Sequence, residues 1–303
     1  MMGIKVFAIV VAYNGKQWYE RCFASLRASS MPVETVVVDN ASNDGTSEFI
    51  KNNYPEITLI ESGKNLGFGK ANNIGMRYAL DAGCDYVFLL NQDAWIEPDA
   101  LEQLVEIHQK HEDFGILSPM HLNANKDGIE KLLLERLDDY KTTDSQLFED
   151  LYFDRLKEVY YTQYVNAAAW LLPRKTIEII GGFDPVFFHY GEDDNYIHRV
   201  MFHGMKVGVC PKTSVVHDAR LERPLYDSRE HEVLMMIDYT DVNKKHNVQR
   251  EIRQHWVKSV TGFLRGRWTA SRNHYADYIW LRRYKKKIEY SVDTNRIQGS
   301  NWL

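Results

Sequence analysis

The chain has 303 residues, 44% of them apolar and 26% charged, with a formal net charge of −5. That is enough apolar material for one large or two modest cores, and no apolar run approaches the roughly 18 residues that a bilayer span needs. Three separated cysteines, Cys22, Cys84 and Cys210, lack metal-ligand spacing, which predicts buried free thiols in a reducing compartment. The start, "MMGIKVFAIVVAYNG", lacks the pattern of a signal peptide, so a soluble cytoplasmic protein is expected. Charge is unevenly spread: Lys244 to Lys287 holds 13 Lys/Arg against Glu251 and Asp277, whereas the first 243 residues hold 23 basic and 38 acidic side chains.

In chain order, "KVFAIVVAY" is a nearly continuous apolar run, as a strand buried on both faces requires. "KQWYERCFASLRAS" follows with helical spacing through Trp18, Cys22 and Leu26. "ETVVVDN" predicts a second strand, and "SNDGTSEFIKNN" a capped helix. "ITLIES", then "GKANNIGMRYALDAG", give a third strand and a helix ending at Gly83. "DYVFLL" is the fourth strand. "EPDALEQLVEIHQKH" is a helix with proline near its start, and "FGILSP" a fifth strand. This alternation predicts an α/β fold with a mostly parallel sheet flanked by helices. Residues 121–163 are irregular, charged and tyrosine-rich, the pattern of a long insertion or flap. "YVNAAAWLLP" reads as a strand, a helix begins near Glu192, and "KVGVCP" and "TSVVH" read as two short strands. From about Ser228 the pattern is helical to the end.

Ligands of such sheets sit at the carboxyl ends of the strands. Polar clusters fall there four times: Tyr13-Asn14, Asp39-Asn40, Asn65-Leu66-Gly67 and Asn91-Gln92-Asp93. Asn91 and Asp93 point the same way by strand alternation. Such an oxygen pair holds a divalent cation if a diphosphate completes the shell; a polar strand end of ordinary kind is the alternative. Glu192-Asp193-Asp194 packs three carboxylates together, which raises at least one pKa. A helix N-terminus that favours negative charge explains the run equally well; a general base among aromatic neighbours Phe187, Phe188 and Tyr190 is the functional reading.

The motifs "VVAYNG", "VVVDNASNDGT", "NLGFGKANNIG", "LLNQDAWIEPDAL", "GGFDPVFFHYGEDDNY" and "VVH", in that order, resemble family 2 glycosyltransferases of the GT-A fold, in the branch with rhamnosyltransferase-like enzymes. They span about 70% of the chain. The resemblance implies a Rossmann-like GT-A domain over residues 1–227, with a nucleotide-binding half (1–120) and an acceptor and catalytic half (121–227); the helical basic-aromatic region over 228–303 is read from the residues alone and lies outside the resemblance. The resemblance also implies transfer, with inversion, from a UDP- or dTDP-linked sugar to a hydroxyl of a glycan or lipid-linked acceptor, in cell-surface polysaccharide synthesis. Ala12, Tyr13, Asn14, Asp39, Asn65, Gly67, Lys70 and Gln92 would bind the nucleotide. Asp93, Asn91 and His217 would hold Mn²⁺ or Mg²⁺, and Asp193 would be the base. Glu192 would orient the base or bind acceptor hydroxyls, and Trp170 would stack on a sugar, against a plain core role. Asn91 departs from the family's Asp-x-Asp, which implies a metal held together with the donor.

A sugar nucleotidyltransferase and a non-catalytic nucleotide- or glycan-binding protein are the competing readings. The loop "AYNGKQWYE", with one glycine, argues against the first. The basic aromatic tail suits peripheral membrane contact at the inner face or a homodimer, and the acidic remainder argues against nucleic acid.

Overall fold

The computed structural model describes residues 3–137, 146–219 and 228–303. Part of the expected flap (138–145) and the expected domain junction at 227 lie outside the described residues. Nine described strands form one sheet: β1 (Val6–Ala12), β2 (Val33–Asp39), β3 (Thr58–Glu61), β4 (Tyr86–Asn91), β5 (Ala94–Ile96), β6 (Phe114–Leu122), β7 (Tyr160–Thr162), β8 (Ala169–Pro173) and β9 (Lys206–His217). The helices around it are α1 (Lys16–Arg27), α2 (Thr46–Asn53), α3 (Phe68–Asp81), α4 (Ala100–Lys110), α5 (Lys131–Leu137), α6 (Leu147–Tyr152), α7 (Arg174–Ile180) and α8 (Glu192–Phe202).

The central strands are apolar throughout because each has a core on both faces. Along β1, Val6, Ala8, Val10 and Ala12 enter one core while Phe7 and Ile9 enter the other. β4 divides likewise, with Tyr86, Phe88 and Leu90 against Val87 and Leu89. This is the period-two alternation of a strand applied to two buried faces. The first core is closed by α1 and α4, the second by α3, α7 and α8. On α1 the buried face is Tyr19, Cys22, Phe23 and Leu26, so the helical stripe starts at Tyr19 and not at Trp18. The Trp18 indole instead donates to Asp218 Oδ2 at 2.8 Å. Gly75 lets α3 lie directly on β1, since a Cβ there would stand 2.4 Å from Ile9 Cγ2.

The strand order is β3-β2-β1-β4-β8-β6-β9-β5, with β7 also on β9. β3, β2, β1 and β4 are mutually parallel. β8 then runs antiparallel to both β4 and β6, so the fifth predicted strand, "FGILSP", does not extend the parallel set directly. "KVGVCP" and "TSVVH" form a single strand, β9. Its pairing with β6 slips between Cys210 and Ser214, and that irregularity around Pro211 made one strand read as two.

Residues Met1–Arg223 with Gln298–Leu303 make one compact unit, and Pro224–Ile297 make a second. The second contains α9 (Ser228–Thr240), α10 (Val248–Leu264) and α11 (Trp268–Asn295). Asp277 on α11 ties its three helices together, with its carboxylate 2.9 Å from His231 Nε2 and 3.3 Å from His255 Nδ1. No helix among the described residues is long and apolar enough to cross a membrane. All three cysteines are free and buried.

Candidate active site

The parallel strands deliver their carboxyl ends to one edge, as the register shows: Ala12 pairs with Asp39, and Val11 with Asn91. Each polar loop there is knitted to the next. Asp39 is buried, and its two oxygens accept the Ser42 N–H at 3.0 Å and the Ser47 hydroxyl at 2.8 Å. Asn14 takes the left-handed conformation at φ 48°, and its Oδ1 accepts from the Asn43 amide at 2.8 Å. Asn65 Oδ1 accepts from the Gly67 amide and from Asn40 Nδ2. Gly67 has φ +82°, and a Cβ there would lie 2.0 Å from the Phe188 carbonyl oxygen. Glycine therefore lets this loop touch the segment that leads into α8. Tyr13 is exposed. Lys70 lines a cavity with Leu66, Asn73, Pro185 and Trp302.

Two expected contacts, Ala12 and Trp170, are corrected, and a third, Gln92, is placed beside Tyr13. Ala12 is fully enclosed and its carbonyl accepts the Asn40 N–H, so it ends the strand and presents no atom to a ligand. Gln92 turns its amide on Tyr13, accepting the main-chain N–H at 2.8 Å and donating to the carbonyl at 3.2 Å. It shapes the Tyr13–Gly15 loop from behind. Trp170 has no exposed surface, and its ring packs between Phe183 and Tyr196. An indole so enclosed is core and has no face for a sugar.

The expected metal residues converge. Ala94, just after Asp93, pairs with His217 at the end of β9. His217 Nε2 lies 3.5 Å from Asp93 Oδ1 and 3.4 Å from the Asn91 side-chain amide nitrogen. On the other side of the ring, Nδ1 lies 3.2 Å from Glu130 Oε1. Glu130 Oε2 is 3.2 Å from His121 Nδ1, and Ser118 Oγ is 2.9 Å from His121 Nε2. Asn166 Nδ2 donates to Glu130 as well. Burial opposes charge on Glu130, but His121 and His217 outweigh it and hold its carboxyl well below the usual range. Burial likewise opposes charge on His217, yet Asp93 and Glu130 raise it to about 9. Burial lowers the pKa of His121.

The carboxylates Glu192, Asp193 and Asp194 open α8. Tyr190 (φ 70°) and Gly191 (φ 90°) are both left-handed, which turns the chain sharply into the helix. Glu192 is buried, and its Oε2 has no hydrogen-bond partner among the described residues. Burial, then the neighbouring Asp193 charge, pushes its pKa up to about 7. Asp193 is partly exposed. Its Oδ2 accepts from the Tyr164 hydroxyl at 3.0 Å and its Oδ1 from the Asp194 amide. Tyr164 and Asn166 are two residues apart, a span of at most about 7 Å. One touches Asp193, and the other touches the carboxylate behind His217. The metal-ligand cluster and the carboxylate pair therefore share a wall.

Asp93 and His217 offer a carboxylate and an imidazole whose facing atoms stand 3.5 Å apart, and the Asn91 side-chain amide lies beside the same imidazole. That donor set fits a divalent ion such as Mn²⁺. Glu130 behind the imidazole matches the carboxylate–histidine pairing that orients metal-ligating histidines. Glu130, His121, Tyr164 and Asn166 escaped sequence reasoning: they lie in or next to the segment read as a flap, and no local spacing links them.

A carboxylate, a histidine and an acidic helix start gathered at the carboxyl edge of this sheet stand where ligands of such sheets bind. The chain belongs to glycosyl transferase family 2, whose profile matches residues 7–162. It is similar to the low-salt glycan biosynthesis hexosyltransferase Agl10 of Haloferax volcanii, at 25% identity over 73% of this chain and 69% of that one. It is also similar to the dTDP-rhamnosyl transferase RfbF of Shigella flexneri, at 23% identity over 71% of this chain and 70% of that one. In fold it resembles the mannosyltransferase PcManGT from Pyrobaculum calidifontis, solved with GDP-Man and Mn²⁺. That likeness has a TM-score of 0.54 at 20% identity, covering 78% of this chain and 61% of that one.

Proposed function

We propose that this glycosyltransferase moves a sugar, with inversion, from a UDP- or dTDP-linked donor to a hydroxyl of a glycan or lipid-linked acceptor. The observation that carries the reading is the shared wall: Tyr164 on Asp193, and Asn166 on the Glu130–His217–Asp93 chain. Asp93, Asn91 and His217 would hold Mn²⁺ or Mg²⁺, which supplies positive charge to a departing diphosphate. Asp39, Asn14, Tyr13 and the Asn65–Gly67 loop form the nucleoside end, and Lys70 borders it. Asp193 removes the proton of the attacking hydroxyl. Tyr164 and the Asp194 amide fix its carboxylate without burying it. Glu192, its pKa raised to about 7 by burial and by the Asp193 charge, carries less negative charge beside the base than an ordinary glutamate. One base opposite one diphosphate suffices, because the leaving group needs no protein acid; glycosidases need two carboxylates because theirs does.

Buried free cysteines support a reducing compartment, and a cytoplasmic reaction at the inner face of a membrane fits a lipid-linked acceptor in surface polysaccharide synthesis. Transfer from UDP- and dTDP-sugars, assayed with Mn²⁺ for wild type and Asp193→Asn, tests the reading. The variant should lose about 10²–10⁴-fold in rate while nucleotide still raises its melting temperature. An equally active variant removes Asp193 from its role. A wild type that neither transfers nor hydrolyses any donor favours a non-catalytic binding protein.

A further inference from the structure

Helix α10 turns an apolar stripe to solvent. Trp256, Val257, Val260, Phe263 and Leu264 are all exposed, Leu264 by 77%. Their spacing of i, i+1, i+4, i+7 and i+8 puts them on one helical face. Across the turn at 265–267, Trp268 opens α11, 62% exposed, with its ring edge-on to Phe263 at 4.8 Å. The stripe thus continues round the tip of a helical hairpin, and Trp256 meets Tyr275 and Tyr278 farther down. Scattered apolar side chains are ordinary on a surface; a contiguous stripe ending in Phe-Leu and Trp at a hairpin tip is not.

The same stretch is cationic. From Arg250 to Arg272 there are six Arg or Lys and one acid, Glu251. Glu251 faces Tyr239 and His246. Arg253, Lys258, Arg265, Arg267 and Arg272 are exposed, and none pairs with a carboxylate among the described residues. A second copy docking by this face about a two-fold axis would set these cations against themselves. An anionic lipid surface satisfies both features: it takes the apolar tip into its acyl boundary and neutralises the arginines at its headgroups.

We infer that the α10–α11 hairpin tip, with Phe263, Leu264 and Trp268 inserted and Arg265 and Arg267 on the headgroups, docks the protein on anionic lipid bilayers. The inference does not depend on the transfer chemistry, and its test needs no turnover. Full-length protein is floated with vesicles of phosphatidylcholine alone or mixed with phosphatidylglycerol. Binding should be at least about tenfold tighter to the mixed vesicles, weaken with salt, and shift tryptophan emission to the blue. Phe263→Ser with Leu264→Ser should lose at least about tenfold in binding with unchanged melting temperature, since both side chains are exposed. Arg265→Gln with Arg267→Gln should lose about 30-fold on mixed vesicles, from roughly 1 kcal/mol per basic residue, and little on neutral ones. Equal or negligible binding to both vesicle types overturns the inference. So does a self-association in lipid-free solution that the Phe263→Ser, Leu264→Ser variant abolishes.

Discussion

Glu192 and Asp193 are adjacent in sequence and opposite in environment. Asp193 is partly open and held by a hydroxyl and an amide, whereas Glu192 is buried with one oxygen that has no hydrogen-bond partner among the described residues. Since its folded pKa is near 7 against an ordinary 4.5, the folded state keeps a proton that the unfolded chain releases between those values. Stability falls as pH rises through that window, by up to about 3 kcal/mol. Glu192→Gln should therefore stabilise the protein by up to that amount at pH 8 and by little at pH 4.5, measured by urea unfolding. A gain of the same size at both pH values would show that charge burial is not the cause. The polar runs at 91–93 and 192–194 stood out from the sequence, because a strand end and a helix start give each a place, whereas His217 was singled out only by the family resemblance. The role of Trp170 was not legible. An indole in an apolar strand looks the same whether it faces a pocket or the Phe183–Tyr196 core.

At the scale of elements, the loop after β6 and the segment after β7 act as a frame behind the site. Glu130 and Asn166 come from these two pieces: Asn166 donates to Glu130, and Glu130 lies against His217. Glu130→Gln keeps the shape and removes the charge facing the imidazole. Mn²⁺ binding in the presence of UDP or dTDP, followed by electron paramagnetic resonance, should weaken about 10–100-fold; unchanged binding would leave Glu130 a packing residue. The loop before α3 depends on Gly67 in the same structural sense. Gly67→Ala meets both a left-handed backbone and the Phe188 carbonyl, so about 1–3 kcal/mol of stability should be lost. Nucleotide should then protect the variant less well than wild type in thermal unfolding. Apart from the three-residue β5, the strands and helices of the first 120 residues were readable because period two and period 3.6 are local signals. The frame was not readable, because it is made by tertiary pairing between residues as far apart as Glu130 and His217.

For the whole molecule, sequence order suggested a nucleotide half followed by a catalytic half, and the sheet does not keep them apart. β8, from the later half, runs between β4 and β6 of the earlier one, closing β4 along Tyr86–Leu90. A fragment of residues 1–120 would leave that apolar edge without its partner, and such edges recruit other chains. It should be recovered aggregated, whereas the intact chain stays dispersed, as light scattering would report; a monomeric, folded fragment would contradict this. The interleaving also governs recombination. A hybrid joined at residue 120 between two relatives would seat a foreign strand in the middle of the sheet, flanked on both sides by side chains it did not evolve with. Exchanges of donor preference should therefore succeed with grafted loops at the sheet's carboxyl edge and fail with halves.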